Sequence, residues 1–349
     1  MHALHLYAGS SARATIARNG LQARDICTIP AAAGGPKGLI MGALDRFIFG
    51  DWLPTSQQPV DLIGASIGAW RMSAACFKNP RVGLAQLEYD YIHQHYADTA
   101  QVSATFGKIL HNFYRGRESE VLNNPRYRLH IMTARGRNIL QSEHRWLTPI
   151  GYGGAFMSNL VQRKALGWWL ERVVFSSPNA DLPFTTHDLS THQVAFNAAN
   201  LIPAVLASCS IPFVLNAVSN IPDAPAGAYW DGGITDYHLH LRYTNRDNGI
   251  VLYPHFQKAV VPGWLDKHLW WRHGATSALD NVLLLTPNPE WVRMLPNGKL
   301  PDRSDFARYG ADWRGRVNAW KSACKASTQL ADEFAHWLEK PDMTRVHPL

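Results

Sequence analysis

The chain has 349 residues, 46% of them hydrophobic, and 34 basic against 27 acidic side chains give a net charge of +7. That size fits one large domain or two modest ones. No stretch approaches the roughly 20 apolar residues of a membrane span, and no basic run is long enough for a nucleic-acid tail. Cys27, Cys76, Cys209 and Cys324 lie far apart with no C-x-x-C pair. This argues against a disulfide framework or a zinc site and for a reducing compartment. Met1 to Gly20 lacks the apolar centre of a signal peptide, since Arg13 and Arg18 interrupt it. A cytoplasmic protein, peripheral at membranes at most, is expected. The mild positive excess favours anionic surfaces such as phospholipid head groups. There are 13 tryptophans, with Trp168-Trp169 and Trp270-Trp271 paired. They suit either core packing or a lipid interface, where indole rings are favoured.

Residues 25–31 read as a short strand, and Gly34-Gly35-Pro36-Lys37-Gly38 follows it. Leu39 to Phe49 reads as a helix, with Leu39, Ile40, Ala43, Leu44, Phe47 and Ile48 on one side. Val60 to Ile63 reads as a buried strand. Gly64-Ala65-Ser66-Ile67-Gly68 makes a tight turn, and Ala69 to Phe77 a buried helix. Two strand–glycine turn–helix units in succession predict a parallel α/β sheet. Residues 80–122 read as helical and polar-aromatic, and are expected to border a substrate pocket. Arg128 to Thr133 alternates as a strand. Residues 148–158 read as loop, Leu160 to Val174 as helix, Thr191 to Phe196 as strand and Leu201 to Ser208 as a short helix. Cys209 to Gly227, with three prolines, is expected to be mostly loop. Ala228-Tyr229-Trp230 is a strand end delivering Asp231-Gly232-Gly233. Ile250 to Tyr253 and Asn281 to Thr286 are further buried strands, and the proline-rich 287–303 reads as a long loop. Trp313, Val317, Trp320, Cys324, Ser327, Ala331, Phe334 and Leu338 form one stripe of a long helix. It is expected to dock on its own domain, with a homodimer seam as the alternative.

Gly-x-Ser-x-Gly between a strand and a helix is the context of a nucleophile elbow, with Ser66 at its centre. An acyl-transfer serine also needs an oxyanion site and a base. The Gly34–Gly38 turn suits the first, because glycines let backbone N–H groups approach a ligand and the following helix adds its positive end. It could equally be plain turn chemistry; a Walker phosphate loop it is not. For the base, Asp231 at a sheet rim is one candidate, although Asp-Gly is also a common turn signal. His238 and His240, sharing one face of an expected strand, are the other. They would complete a Ser-Asp-His triad or, less readily, hold a metal.

In chain order, the Gly34–Gly38 turn, Gly64-Ala65-Ser66-Ile67-Gly68, Ala207-Ser208-Cys209-Ser210-Ile211-Pro212 and Asp231-Gly232-Gly233 together resemble the patatin-like phospholipase family over roughly residues 25–235. The resemblance implies a lipid acyl hydrolase with a Ser-Asp dyad, no catalytic histidine and no cofactor or metal. Carried over, Ser66 is the nucleophile and Asp231 the base. Gly34, Gly35, Lys37 and Gly38, with Ile67, form the oxyanion region. Ala207, Ser208, Ile211 and Pro212 shape the acyl pocket. Two positions depart from the family pattern. Ala33 stands where a run of three glycines usually begins, and Lys37 where arginine is usual, which keeps the charge without the planar fork. The expected fold is α/β, a mostly parallel sheet with helices on both faces over residues 1–303. A helical C-terminal extension, 304–349, is expected to pack on it. The expected partner is a lipid or other acyl-ester substrate, not nucleic acid. An acyltransferase with the same dyad, a triad esterase and a non-catalytic lipid-binding module are the alternatives.

Overall fold

The computed structural model describes residues 1–95, 101–244 and 249–349. Its strands, in chain order, are β1 Leu4–Ala8, β2 Ile26–Ala31, β3 Val60–Ala65, β4 Tyr127–Gly136 and β5 Leu170–Ser176. Then come β6 Thr191–Ala195, β7 Val218–Ser219, β8 Ala228–Asp231, β9 Ile250–Pro254, β10 Val282–Pro287 and β11 Val346–Pro348. A strand apolar along its length must be covered on both faces. β3, β5, β8, β9 and β10 are buried at every residue, so they form the middle layer of an α/β stack. The order is β11-β1-β10-β9-β2-β3-β4-β5-β6. β10, β9, β2, β3 and β4 run parallel. β1 and β5 run antiparallel to their inner neighbours.

One edge of β4 is shared, and this sets up the site. β5 takes one side of β4 from His130 to Gly136. On the other side β3 pairs only as far as Ala65 opposite Met132. β8 arrives from the opposite direction and pairs from Asp231 opposite Thr133. The two strands therefore meet head-on along one edge, and the residue after the end of β3, Ser66, faces the last residue of β8.

Buried polar pairs hold this arrangement. Arg71, on the Ile67–Ala75 helix, donates to both carboxylate oxygens of Asp45 at 2.7 and 2.9 Å. That ties the helix after Ser66 to the Gly42–Phe47 helix. Arg172 of β5 makes the same forked contact with Asp236, at 2.8 and 2.6 Å, just beyond Asp231.

The structure corrects several local expectations. Residues 148–158 are not loop but part of the Leu147–Val161 helix. Its glycines serve close packing rather than turning: a Cβ at Gly154 would lie 2.5 Å from the Trp169 ring. That helix ends at Val161, and what reads as helix in 160–174 is a short 3-10 turn followed by β5. A short apolar run such as Val173-Val174-Phe175 has no periodicity that separates a buried strand from a buried helix. The 287–303 segment contains a Pro289–Arg293 helical turn, started by the Asn288 side chain and by Pro289. The Gly34–Gly38 turn runs into a 3-10 segment, Gly35–Met41, before the α-helix begins at Gly42. The C-terminal stripe is carried by two helices, Trp313–Ala326 and Thr328–Glu339, jointed at Ser327. Ser327 Oγ donates to the Cys324 carbonyl at the joint. The stripe docks on its own chain: Trp320, Cys324 and Phe334 are buried. The chain then returns to add β11 alongside β1. The first 20 residues, for which the sequence predicts no element, form β1 and the Ser10–Asn19 helix. No helix among the described residues is long and apolar enough to cross a membrane.

Candidate active site

Ser66 sits between β3 and the Ile67–Ala75 helix with φ 56° and ψ −125°, a region that L-residues other than glycine rarely adopt. The flanking glycines let the turn close. A Cβ at Gly68 would lie 1.9 Å from the Ala31 carbonyl, and one at Gly64 2.5 Å from the Gly68 carbonyl. The strained turn is clamped from behind by Ser208 of the Leu201–Cys209 helix. Its hydroxyl accepts the Ser66 N–H at 3.0 Å and donates to the Met132 carbonyl of β4 at 2.7 Å.

Ser66 Oγ donates to Asp231 Oδ2 at 2.6 Å. Asp231 Oδ1 accepts the Gly233 N–H at 2.7 Å, and the Asp231 N–H donates to the Ser210 carbonyl at 2.8 Å. Both side chains are nearly buried, at 4% and 6% exposure. Burial pushes the Asp231 carboxyl up to about 6; the Ser66 hydrogen bond, the charge of Arg303 and the Gly233 N–H pull it partly back. A carboxylate with that proton affinity is a better base toward a hydroxyl than an ordinary aspartate.

The histidines stand elsewhere. The expected strand over 236–240 does not exist. After the Gly233–Asp236 turn the chain is irregular, and Leu239 has φ 47°. His238 Nδ1 pairs with the Ala259 carbonyl and the Val261 N–H, and its other ring nitrogen is buried without a partner. His240 pairs with the Val260 carbonyl and the Thr276 hydroxyl. Burial, then the neighbouring His255, holds His238 far below the ordinary imidazole range. Among the described residues, no histidine nitrogen hydrogen-bonds to Ser66 or Asp231.

Ser66 lies where two cavities meet. One, of about 240 Å³, is lined by Gly34, Lys37, Asp231, Ile211, Pro212 and Arg303 among others. The second, of about 530 Å³, includes Gly35, Ile67, Ile211 and a mostly apolar wall of Val102, Phe106 and Leu215. Tyr91 and Phe106 bring the 80–122 region into that wall. Gly38 lies behind it, where a Cβ would press on Ile67 at 2.9 Å. Ala207 and Ser208 are fully buried behind the cavities, while Ile211 lines both and Pro212 the smaller one. The Ile67–Ala75 helix begins at Ser66, and its first N–H groups lack intrahelical acceptors, so they are suited to a developing negative charge. The sequence reading missed Arg303 and Lys267, which also lines the smaller cavity. Nothing local marks either residue: Arg303 ends the segment read as loop, and Lys267 lies in a stretch for which the sequence predicts no element.

An α/β sheet that presents a strained serine at a strand–helix turn, against a buried aspartate, has the strand–turn–helix geometry of a nucleophile elbow. A model of the patatin-like phospholipase family matches residues 32–238, more than half of the chain, and the chain belongs to that family. The matched span encloses the Gly34–Gly38 turn, the elbow, Ala207–Pro212 and Asp231. No curated protein gives a significant match. Membership carries lipid acyl hydrolysis as the activity at the level of the family.

Proposed function

We propose that the protein is a serine esterase of phospholipase or lysophospholipase type, using Ser66 and Asp231 as a two-residue catalytic dyad. The observation that carries this reading is the direct 2.6 Å hydrogen bond from Ser66 Oγ to Asp231 Oδ2. As Ser66 Oγ attacks the ester carbonyl, its proton passes to Asp231. The oxyanion is held by backbone N–H groups of Gly35 and Ile67, in the region formed by Gly34, Lys37 and Gly38. On collapse, Asp231 returns the proton to the leaving alcohol and an acyl-serine remains. Water then attacks the acyl-serine, giving its proton to Asp231, and the acid leaves as Ser66 recovers the proton. The acyl chain would lie in the apolar cavity beside Ile211 and Leu215, whose wall gives it a dry environment, with Pro212 on the adjoining smaller cavity.

A fluorophosphonate probe on wild type and on Ser66→Ala, followed by a lipid ester panel read by mass spectrometry, tests the reading. Labelling of wild type alone, with release of free acid, is the expected result. Labelling that survives Ser66→Ala would overturn it. An acyltransferase with the same dyad is separated by its products: with an added alcohol or thiol acceptor, acyl transfer would replace free acid. Peripheral contact with a lipid surface belongs to the same reading, because the substrate resides in one. The triad alternative has no support from the placement of His238 and His240.

A further inference from the structure

The two cavities that meet at Ser66 differ in chemistry. The larger is walled by Val102, Phe106, Leu215 and Trp313. The smaller gathers Lys37, Lys267 and Arg303. Among the described residues none of these three cations forms an ion pair, because the nearby carboxylates are engaged elsewhere. Asp302, on the same cavity, is held by Lys299 at 2.7 Å. Asp266, beside Lys267, is held by Arg163 at 2.8 Å and Arg272 at 2.9 Å. Lys37 and Lys267 lie instead over the rings of Phe256 and Tyr237. Burial first, then the charge of Lys267, lowers the proton affinity of Lys37. Burial, then Arg303, does the same to Lys267. Asp302 and Asp231, on the same cavity, act on Lys37 and Arg303 only through charge at a distance. Three like charges with no carboxylate bound directly to them are the arrangement an anion relieves.

We infer that Lys37, Lys267 and Arg303 form an anion subsite for the phosphate head group of a single-chain ester, whose acyl chain lies in the apolar cavity with its carbonyl at Ser66. This rests on the esterase reading above and adds the head-group class to it. Arg303 borders both cavities, so it stands at the boundary between head group and chain.

The test uses three single-chain esters of the same acyl group in neutral detergent micelles, with a phosphate monoester head, a phosphocholine head and a phosphate-free glycerol head. Wild type should favour the phosphate monoester by about tenfold in kcat/KM over the glycerol ester, and Lys267→Ala/Arg303→Ala should bring that ratio close to one. A wild-type ratio near one, or a ratio unchanged in the double variant, overturns the subsite while leaving the esterase reading standing. If no ester is turned over and the fluorophosphonate does not label Ser66, the esterase reading is what fails. The subsite is then judged by titrating Ser66→Ala with a phosphate monoester amphiphile and with inorganic phosphate. Binding of the amphiphile that weakens in the added double variant supports it. Equal binding of inorganic phosphate, or no binding, overturns it.

A separate observation concerns the surface around the mouth. Of the sixteen large hydrophobic side chains exposed among the described residues, twelve fall in three segments, 146–168, 213–214 and 264–271. The Leu147–Val161 helix turns Ile150, Met157 and Val161 outward, at 62%, 59% and 85% exposure. Arg272, next to Trp270 and Trp271, donates to the Leu160 carbonyl at 3.3 Å, which joins the segments. The Phe213 ring contacts Tyr152 of the same helix at 5.7 Å between centroids. Trp264 lines the Ser66 cavity, so this surface is continuous with the site. Lys164 and Lys267 belong to the same segments, and Arg145 adjoins the first of them. We propose that this face docks on an anionic lipid surface, with indole rings at head-group depth and cations against the phosphates. Wild type should sediment with anionic vesicles at low salt and less so at high salt. A variant with Met157→Ser, Val161→Ser, Trp270→Ser and Trp271→Ser should lose at least about fivefold of the bound fraction. Met294→Ser, exposed but outside the face, is the control. If the quadruple variant misfolds by circular dichroism, quenching of wild-type tryptophan fluorescence by brominated lipid replaces it, and absence of quenching overturns docking. Unchanged binding in the quadruple variant, equal loss in Met294→Ser, or no vesicle binding together with a concentration-dependent dimer also overturns it.

Discussion

Asp231 is an acid whose burial opposes its own charge, and both activity and stability follow from that. Its proton affinity is raised from the ordinary aspartate range to about 6 by burial. If Asp231 is the base, kcat/KM on a soluble ester should climb through about pH 6 and level off above it. A pH profile limited only by a group near 4 would count against the assignment. Asp231→Asn and Ser66→Ala should each cost about 10³-fold or more in kcat, read in single-turnover assays. The same residue affects stability. Between about pH 4 and 6 the folded chain holds a proton that the unfolded chain has released, so this group's contribution falls as pH rises through that window. Asp231→Asn, which removes the buried charge, should therefore be more stable than wild type at pH 8, on the order of 2 kcal/mol. The gain should disappear near pH 4, and thermal melts across pH read it directly. His238→Ala should keep most of the activity if it folds, since its ring contacts only the backbone of residues 259–261 by hydrogen bond. Loss of activity in a folded His238→Ala protein would reopen the triad.

At the scale of elements, the site depends on how closely two backbones pass. Gly68→Ala places a methyl group 1.9 Å from the Ala31 carbonyl. No side-chain movement relieves a clash with backbone, so this variant should lose more than about 3 kcal/mol or fail to accumulate. Urea unfolding reads the first case and soluble yield the second. Arg172 anchors the turn after Asp231 from β5. Removing it leaves Asp236, 1% exposed, without its forked partner. Arg172→Ala should cost about 3–5 kcal/mol. Much of the strand pattern around this site is legible in the sequence: β2, β3, β8, β9 and β10 are marked by apolar runs ending at glycine, proline or aspartate. The helix–strand exchange over 147–176 is not, because Gly151 and Gly154 look like turn residues until Leu140 and Trp169 are placed against them.

Over the whole molecule, the chain ends are bound together. β1 lies between β10 and β11, and the Glu333 carboxylate accepts the N–H groups of Ala3 and Leu4 at 2.7 and 3.2 Å. Removing residues 310–349 would strip Trp320, Phe334 and Trp337 from the core and leave one edge of β1 open. Each such aromatic is worth about 1.5–3 kcal/mol of burial, and an open edge strand invites pairing with another chain. The truncated protein should aggregate; a soluble monomer by size exclusion with light scattering would contradict the docking seen here.

By itself the sequence determined the local pieces: a serine between two glycines at a strand end, a glycine turn before a helix, an aspartate before two glycines, and enough apolar runs for a parallel sheet. Those are properties of a few neighbouring residues, set by backbone sterics and by which side chains avoid water. Tertiary structure decided which pieces meet. Ser66 and Asp231 are 165 residues apart in the chain, and only the shared edge of β4, where β3 stops and β8 begins, puts them in contact. It also decided that His238 and His240 turn to backbone carbonyls, that Arg303 and Lys267 reach the cavity, and that the tryptophan pairs leave Trp168, Trp270 and Trp271 exposed. No local pattern carries that information, because a loop residue's neighbours are chosen by the packing of elements on either side of it.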